Sequence, residues 1–195
     1  MIKLFSILII FSLFISSDGA DKFKYWELLT NTEKQQYLSD PNVNKIALDY
    51  YNGKFYPSDN NKTFKLLKTL TNKNNFNPFY YFLFNQICSR SDGALSEIMG
   101  DYCLNEVLNN PEYVINHFTF ERMNFKKKQY LYELYGFFIG YEMSFYDQGT
   151  TDIKLGFPEF KNLLLKKFLD ANSDNKRTLD LFFREIDKAI KNMND

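Results

Sequence analysis

The chain has 195 residues, of which 24 are Lys or Arg and 24 are Asp or Glu, so its formal net charge at neutral pH is zero. This balance, with a pI near 6.6, lacks the basic excess by which nucleic-acid-binding domains hold phosphates, and we expect no nucleic-acid partner. Two cysteines are too few for a small scaffold held together by several disulfides. The composition therefore favours one ordinary domain with its own apolar core.

The N-terminal segment has the layout of a secretory signal peptide. Lys3 supplies a positive charge, residues 4–15 are apolar apart from two serines, and residues 16–20 are small or polar. Signal peptides combine a charged start, about 7–15 apolar residues and a small-residue junction, whereas a membrane span needs about 20 apolar residues. We therefore expect a leader over residues 1–19, cleaved between positions 17 and 20.

Export follows from this leader. The mature chain, residues 20–195, is expected to form a single helical domain without a transmembrane span. Its expected location is the periplasm or the extracellular space, or the secretory pathway of a eukaryotic host.

Helix start signals divide the mature chain. Asp or Asn before a proline caps the free amides of a first helical turn, and this pair occurs at Asp40-Pro41, Asn77-Pro78 and Asn110-Pro111. Between such signals the apolar residues recur every three or four positions, with no sustained alternation. In chain order we expect short helices near 22–29 and 32–38, then helices from 41 to 52, near 60–70, from 78 to 88, from 92 to 107, from 111, from 124 to 146, from 158 and from 173.

These elements predict an all-α fold, with two open architectures. One is an irregular multi-helix bundle, and the other is a short α-solenoid of stacked helix pairs, since the Asp/Asn-Pro signals are about 35 residues apart. The residues between the signals do not repeat. The segment from Asn77 to Phe118 loosely resembles the paired helices of HEAT-type repeats, although no diagnostic motif supports the resemblance.

Three glycines inside expected helices predict close helix contacts. Gly136 and Gly140 are four residues apart, a spacing that pairs helices in membranes. Glu133 and Glu142 bracket too few uncharged residues for a span. We therefore expect these two glycines, and Gly100, to admit a neighbouring helix at short distance.

The acid–base and metal candidates are few. His117 is the single histidine, so one chain cannot build a zinc site with two or three histidines. His117 and Glu121, like Glu97 and Asp101, are four residues apart and could share a helix face. We expect a surface hydrogen bond for the first pair and a solvated face for the second, and we assign no catalytic residue, metal or cofactor.

Cys88 and Cys103 are a disulfide candidate that helix geometry disfavours. If Asp92-Gly93 is the turn between two antiparallel helices, the cysteines differ in height by roughly 10 Å, whereas a disulfide needs Cα atoms within about 7 Å. We therefore expect buried free thiols. Separately, Asn61 in Asn61-Lys62-Thr63 is an N-glycosylation acceptor in an expected loop if the host is eukaryotic.

The sequence favours a non-catalytic exported protein that binds another protein or a peptide. Stacked helix pairs expose a broad face for binding, and the motifs of catalysis are weak. Two alternatives stay open, an exported enzyme with a carboxylate/His site and a structural component of the cell envelope.

Overall fold

A computed structural model describes residues 24–145 and 155–194, and the expected leader with its cleavage junction lies outside these ranges. Within them the chain is helical, with no strand. The helices are α1 (Asn31–Leu38), α2 (Lys45–Tyr51), α3 (Asn61–Leu70), α4 (Pro78–Cys88), α5 (Gly93–Glu97), α6 (Met99–Asn109), α7 (Pro111–Asn124), α8 (Leu131–Ser144), α9 (Phe157–Lys167) and α10 (Ser173–Asn194). The first short element is a 3-10 turn, Trp26–Leu28, rather than an α-helix.

Two of the three Asp/Asn-Pro signals start helices as expected. α4 begins at Pro78, and the Asn77 side chain accepts a hydrogen bond from the Tyr80 amide at 3.0 Å. α7 begins at Pro111. Proline is favoured at a first helical position because its missing N–H would have no partner there.

The signal at position 41 does not start a helix. The Asp40 carboxylate instead accepts from the Asn42 amide at 2.8 Å and forms a turn. α2 begins at Lys45, where Asn44 accepts from the Ile46 amide at 2.8 Å. Asp40 and Asn44 could both cap a helix start here, and it is the Asn44 side chain that caps α2.

Two expected long helices have other bounds in the structure. The helix predicted over 92–107 is interrupted at Ile98, which separates α5 from α6. The helix predicted from 124 begins only at Leu131. Residue 124 still belongs to α7, which ends at the extended backbone of Phe125, and residues 125–130 connect the two helices without being helical. The expected loop at 148–156 lies largely outside the described residues.

α8 is the central element of the packing. It contacts α4, α5, α6 and α7, which precede it, and α10 near the C-terminus, and α10 also contacts α7. In a solenoid each unit contacts mainly its sequence neighbours. These contacts between helices distant in sequence are consistent with a helical bundle and differ from the stacked pairs of the alternative prediction.

Aromatic side chains fill the centre of the bundle. The ring of Tyr135 on α8 lies 5.1 Å from that of Phe118 on α7 and 5.9 Å from that of Phe84 on α4, in edge-to-face arrangements. Phe118 in turn contacts Phe182 on α10 with a centroid distance of 5.6 Å. Such pairs contribute about 0.5–1.5 kcal/mol each beyond the area they bury, so one cluster joins four helices.

Three glycines allow α6 and α10 to approach α8 at backbone distance. A Cβ atom added at Gly100 would lie 2.6 Å from the carbonyl oxygen of Phe138, and one at Gly136 would lie 2.6 Å from the Cβ of Glu185. At Gly140 the added Cβ would lie 2.5 Å from the carbonyl oxygen of Ile186. This glycine seam confirms the predicted close contacts. None of the helices in the described residues is both long and apolar enough to cross a membrane.

Gly140→Ala is expected to destabilise the protein by about 1–3 kcal/mol. Alanine favours a helix by about 1 kcal/mol over glycine, but its methyl group would force α10 away from α8. Urea unfolding followed by circular dichroism measures the change. Phe137→Ala is the control, since Phe137 lies on the same helix and is 51% exposed. Equal or greater stability of Gly140→Ala would show that the helices separate without cost.

Candidate functional site

His117 is buried on α7, not exposed as expected. It is 4% exposed, and its Nδ1 lies 3.3 Å from the hydroxyl of Tyr81 on α4. Its Nε2 lies 3.8 Å from a carboxylate oxygen of Glu27 in the N-terminal turn, and the Tyr25 ring covers the imidazole at 4.4 Å. The carboxylate that faces His117 therefore comes from a segment distant in sequence and not from Glu121.

Burial keeps the imidazole neutral. Removal from water disfavours the imidazolium, and the positive charge of Lys127 adds to this, so that the pKa of His117 falls to about 3. Glu27 would favour the charged ring, but 3.8 Å exceeds hydrogen-bond distance. The pKa of Glu27 is itself raised, chiefly because desolvation disfavours its charged form.

Glu121 connects two helices through its carboxylate. Its carboxylate is buried, forms an ion pair with Lys127, and accepts a hydrogen bond from the Leu131 amide at 2.7 Å. It thereby ties the end of α7 to the first turn of α8. The predicted surface hydrogen bond between His117 and Glu121 is wrong, because both side chains are covered and each has other partners.

Glu97 and Asp101 are exposed and do not share one helix. Glu97 ends α5, and Asp101 lies in the first turn of α6 beyond the break at Ile98. In the described part of the chain, no group of three or more His, Cys, Asp or Glu side chains is placed to hold a metal ion.

Asn61 is the first residue of α3 and is exposed, whereas a loop was expected. The hydroxyl of Thr63, the third residue of the acceptor motif, is buried and accepts a hydrogen bond from the Ser58 amide at 3.0 Å. Modification of Asn61 stays a prediction.

Cys88 and Cys103 meet in the core. Their Sγ atoms are 3.8 Å apart without a bond, and both residues are buried. The 3.8 Å between the sulfurs contradicts the predicted height difference of roughly 10 Å. The single helix expected after Asp92-Gly93 is divided at Ile98, and Cys103 lies in the second turn of α6. Cys88 is the last residue of α4, and the short helix α5 carries the chain between them.

Glu106 is a buried acid that the sequence analysis did not identify. It is fully buried on α6, one oxygen accepts from the Asn110 side chain at 3.2 Å, and the other has no hydrogen-bond partner. Desolvation raises its pKa to about 8, which the Asn110 hydrogen bond only partly offsets. Its position next to Val107, on the apolar stripe of α6, was the sequence feature that could have indicated its burial.

Two adjacent surface clefts lie at the N-terminal ends of α4 and α7. The first, the Lys167 cleft, has a volume of about 380 Å³ and is lined by Phe76, Asn109, Asn110, Pro111, Glu112, Tyr113 and Lys167. The second, the Glu33 cleft, has a volume of about 400 Å³ and is lined by Lys24, Leu29, Glu33, Gln36, Tyr37, Phe76, Asn77, Pro78 and Tyr113. Phe76 and Tyr113 belong to both clefts, and their rings lie edge to face at 4.8 Å. We call this pair the aromatic wall.

Each cleft has an ion pair on its border. Glu112 and Lys167 approach to 3.3 Å at the Lys167 cleft. At the Glu33 cleft, Lys24 pairs with Glu33. The Lys24 hydrogen bond, followed by those of the Thr30 amide and hydroxyl, lowers the pKa of Glu33 to about 2. Both clefts therefore present fixed charges of both signs at neutral pH.

Comparisons with protein-family models, curated proteins and solved structures find no match to this chain.

Glu106→Gln is expected to change how stability depends on pH. The carboxyl ionises near 4.5 in the unfolded chain and near 8 in the folded protein, so folding takes up a proton between these values. The free energy of unfolding of the wild type should therefore fall over this window as pH rises, and level off above it. We expect the stability of Glu106→Gln relative to the wild type to increase by about 2–4 kcal/mol between about pH 5 and pH 8.

Urea unfolding at several pH values measures this difference. Glu97→Gln is the control, because Glu97 is exposed and should give a difference that hardly changes with pH. A Glu106→Gln difference as flat as this control would mean that Glu106 is ionised in the folded protein.

His117→Gln is expected to reduce sensitivity to acid. The imidazole has a pKa near 6.5 unfolded and about 3 folded, so its stabilising contribution is complete above 6.5 and is lost as pH falls. Between about pH 6.5 and pH 4.5 the free energy of unfolding should fall by about 2–3 kcal/mol more in the wild type than in the variant. Glutamine is chosen because its side-chain amide can still form a hydrogen bond with Tyr81. Thermal or urea unfolding measures both slopes, and equal slopes would contradict a buried neutral imidazole.

Proposed function

We propose that the protein is exported and binds an extended peptide segment of a partner protein across the Lys167 and Glu33 clefts, without catalysing a reaction. The observation that carries this proposal is the aromatic wall shared by the two clefts. One elongated ligand can contact the half-buried Phe76 at its middle and enter a cleft on each side.

The size of the clefts supports an elongated ligand. Pockets that bind small ligands measure about 300–1,000 Å³, and each cleft lies near the lower end of this range. A compact ligand would use one cleft and leave the other empty. A peptide strand can instead place alternate side chains in both while its backbone crosses the aromatic wall.

The chemistry of the lining also suits a peptide. Asn109, which lines the Lys167 cleft, carries an amide group that can donate and accept hydrogen bonds, as a peptide backbone requires. The Phe76 ring gives an apolar contact, and aromatic anchors contribute strongly to binding. The border pairs Glu33–Lys24 and Glu112–Lys167 offer charges of both signs at the two ends.

The alternative of an enzyme with a carboxylate/His site is less well supported. His117 and Glu121 would have to reach substrate, and they are only 4% and 2% exposed. In addition, Glu121 is engaged by Lys127 and by the Leu131 amide.

Selection of random linear peptides displayed on phage against the full chain tests the proposal. A synthetic, fluorescently labelled copy of an enriched peptide is then titrated with the protein, and polarisation measures its Kd. We expect Phe76→Ala to weaken binding about tenfold or more, since truncation of a central aromatic anchor costs at least about 1.4 kcal/mol. Lys167→Glu should also weaken binding of peptides whose acidic residue faces the Lys167 cleft, with little effect on folding because the side chain is partly exposed.

Tyr56→Ala is the matched control, because Tyr56 is an aromatic residue that is 75% exposed and lines neither cleft. Its Kd should equal that of the wild type. Failure to enrich any peptide whose binding depends on Phe76, or equal losses in Phe76→Ala and Tyr56→Ala, would overturn the proposal.

A further inference from the structure

We propose that Cys88 and Cys103 form a disulfide that links α4 to α6 in the exported protein. The two Sγ atoms are 3.8 Å apart, and they come from different helices. This inference rests on the export part of the proposed function but not on peptide binding, because the clefts lie at the other end of α4.

The distance between the sulfurs suits closure of the bond. A disulfide has an S–S length of about 2.05 Å, so small side-chain rotations shared between the two residues bring the sulfurs from van der Waals contact to bonding distance. The backbone already places both cysteines against each other in the core, with 1% and 0% of their surface exposed. The bond would close the segment that contains α5 and the break at Ile98.

The reaction is thiol–disulfide exchange with an oxidant of the disulfide class, such as oxidised glutathione or the disulfide of a thiol oxidoreductase. One protein thiolate attacks a sulfur of the oxidant, forms a mixed disulfide and releases the first thiolate. The second protein thiolate attacks the protein sulfur of that mixed disulfide, forms the Cys88–Cys103 bond and releases the second thiolate. The protein loses two electrons and two protons, and the oxidant becomes two thiols.

Burial determines when this reaction takes place. Desolvation and the neighbouring thiol raise the pKa of Cys103, which disfavours the reactive thiolate in the folded core. Exchange also needs access for the oxidant. The bond therefore forms while the chain folds in an oxidising compartment, before α4 and α6 close over the sulfurs, and the folded protein then shields it from reductants.

Maleimide labelling and intact mass of the full-length chain expressed through a secretory host test the proposal. Denatured protein should react with maleimide only after reduction, and its mass should rise by about 2 Da on reduction, the two hydrogens that oxidation removes. The melting temperature of the oxidised protein should exceed that of the reduced protein by roughly 5–10 °C, as expected for a short closed loop in a domain of this size. If secretion yields no protein, the full-length chain refolded in a mixture of reduced and oxidised glutathione is measured in the same way.

Cys88→Ser and Cys103→Ser are matched controls, since neither variant can form the bond. Each should show one reactive thiol without reduction and a melting temperature that reductant does not change. Two maleimide-reactive thiols in the denatured, unreduced wild type would overturn the proposal. A disulfide found only between two protein copies would overturn it as well.

Discussion

The close packing of α8 against α6 and α10 is the constraint on which the rest of the structure depends. At Gly100, Gly136 and Gly140 the helices approach until backbone carbonyls and Cβ atoms of one helix occupy the place of a side chain on the other. Close approach of this kind brings many weakly attractive atom pairs into contact at once. It also sets where the flanking helices lie, because α7 contacts both α8 and α10, and α4 contacts α8.

Around this seam the core combines aromatic packing with buried polar groups. The Tyr135 hydroxyl donates to the Asn85 side chain at 2.7 Å, and Tyr81 bonds His117. Buried polar groups stabilise a fold when they are satisfied and are costly when they are not. Three buried atoms of the described residues have no hydrogen-bond partner, the Tyr50 hydroxyl, the Asn85 Nδ2 and one Glu106 oxygen, and the raised pKa of Glu106 keeps its carboxyl protonated at neutral pH. In the same core Cys88, at the end of α4, lies beside Cys103 on α6.

The candidate binding surface arises from the ends of helices, not from their faces. α4 and α7 both begin with a proline after a capping or turn-forming asparagine, and these starts lie beside the two clefts. The Phe76 residue before the α4 start meets Tyr113 in the first turn of α7. These helix starts position the aromatic wall without a long loop, which favours a site that is formed before the ligand arrives.

The amino-acid sequence by itself determined the local features of this protein. The three- and four-residue spacing of apolar side chains indicated helices, Asn77-Pro78 and Asn110-Pro111 marked two helix starts, and the glycine positions predicted close helix contacts. Each of these three features can be predicted because it depends on residues that are near one another along the chain. Only the tertiary structure decided that helices distant in sequence meet at α8, that Glu27 rather than Glu121 faces His117, and that Phe76 joins Tyr113. The break at Ile98 shows the reason. An apolar stripe continues through it, so the pattern alone predicts one helix, whereas the structure ends α5 at Glu97, begins α6 at Met99 and places the sulfurs of the two cysteines 3.8 Å apart.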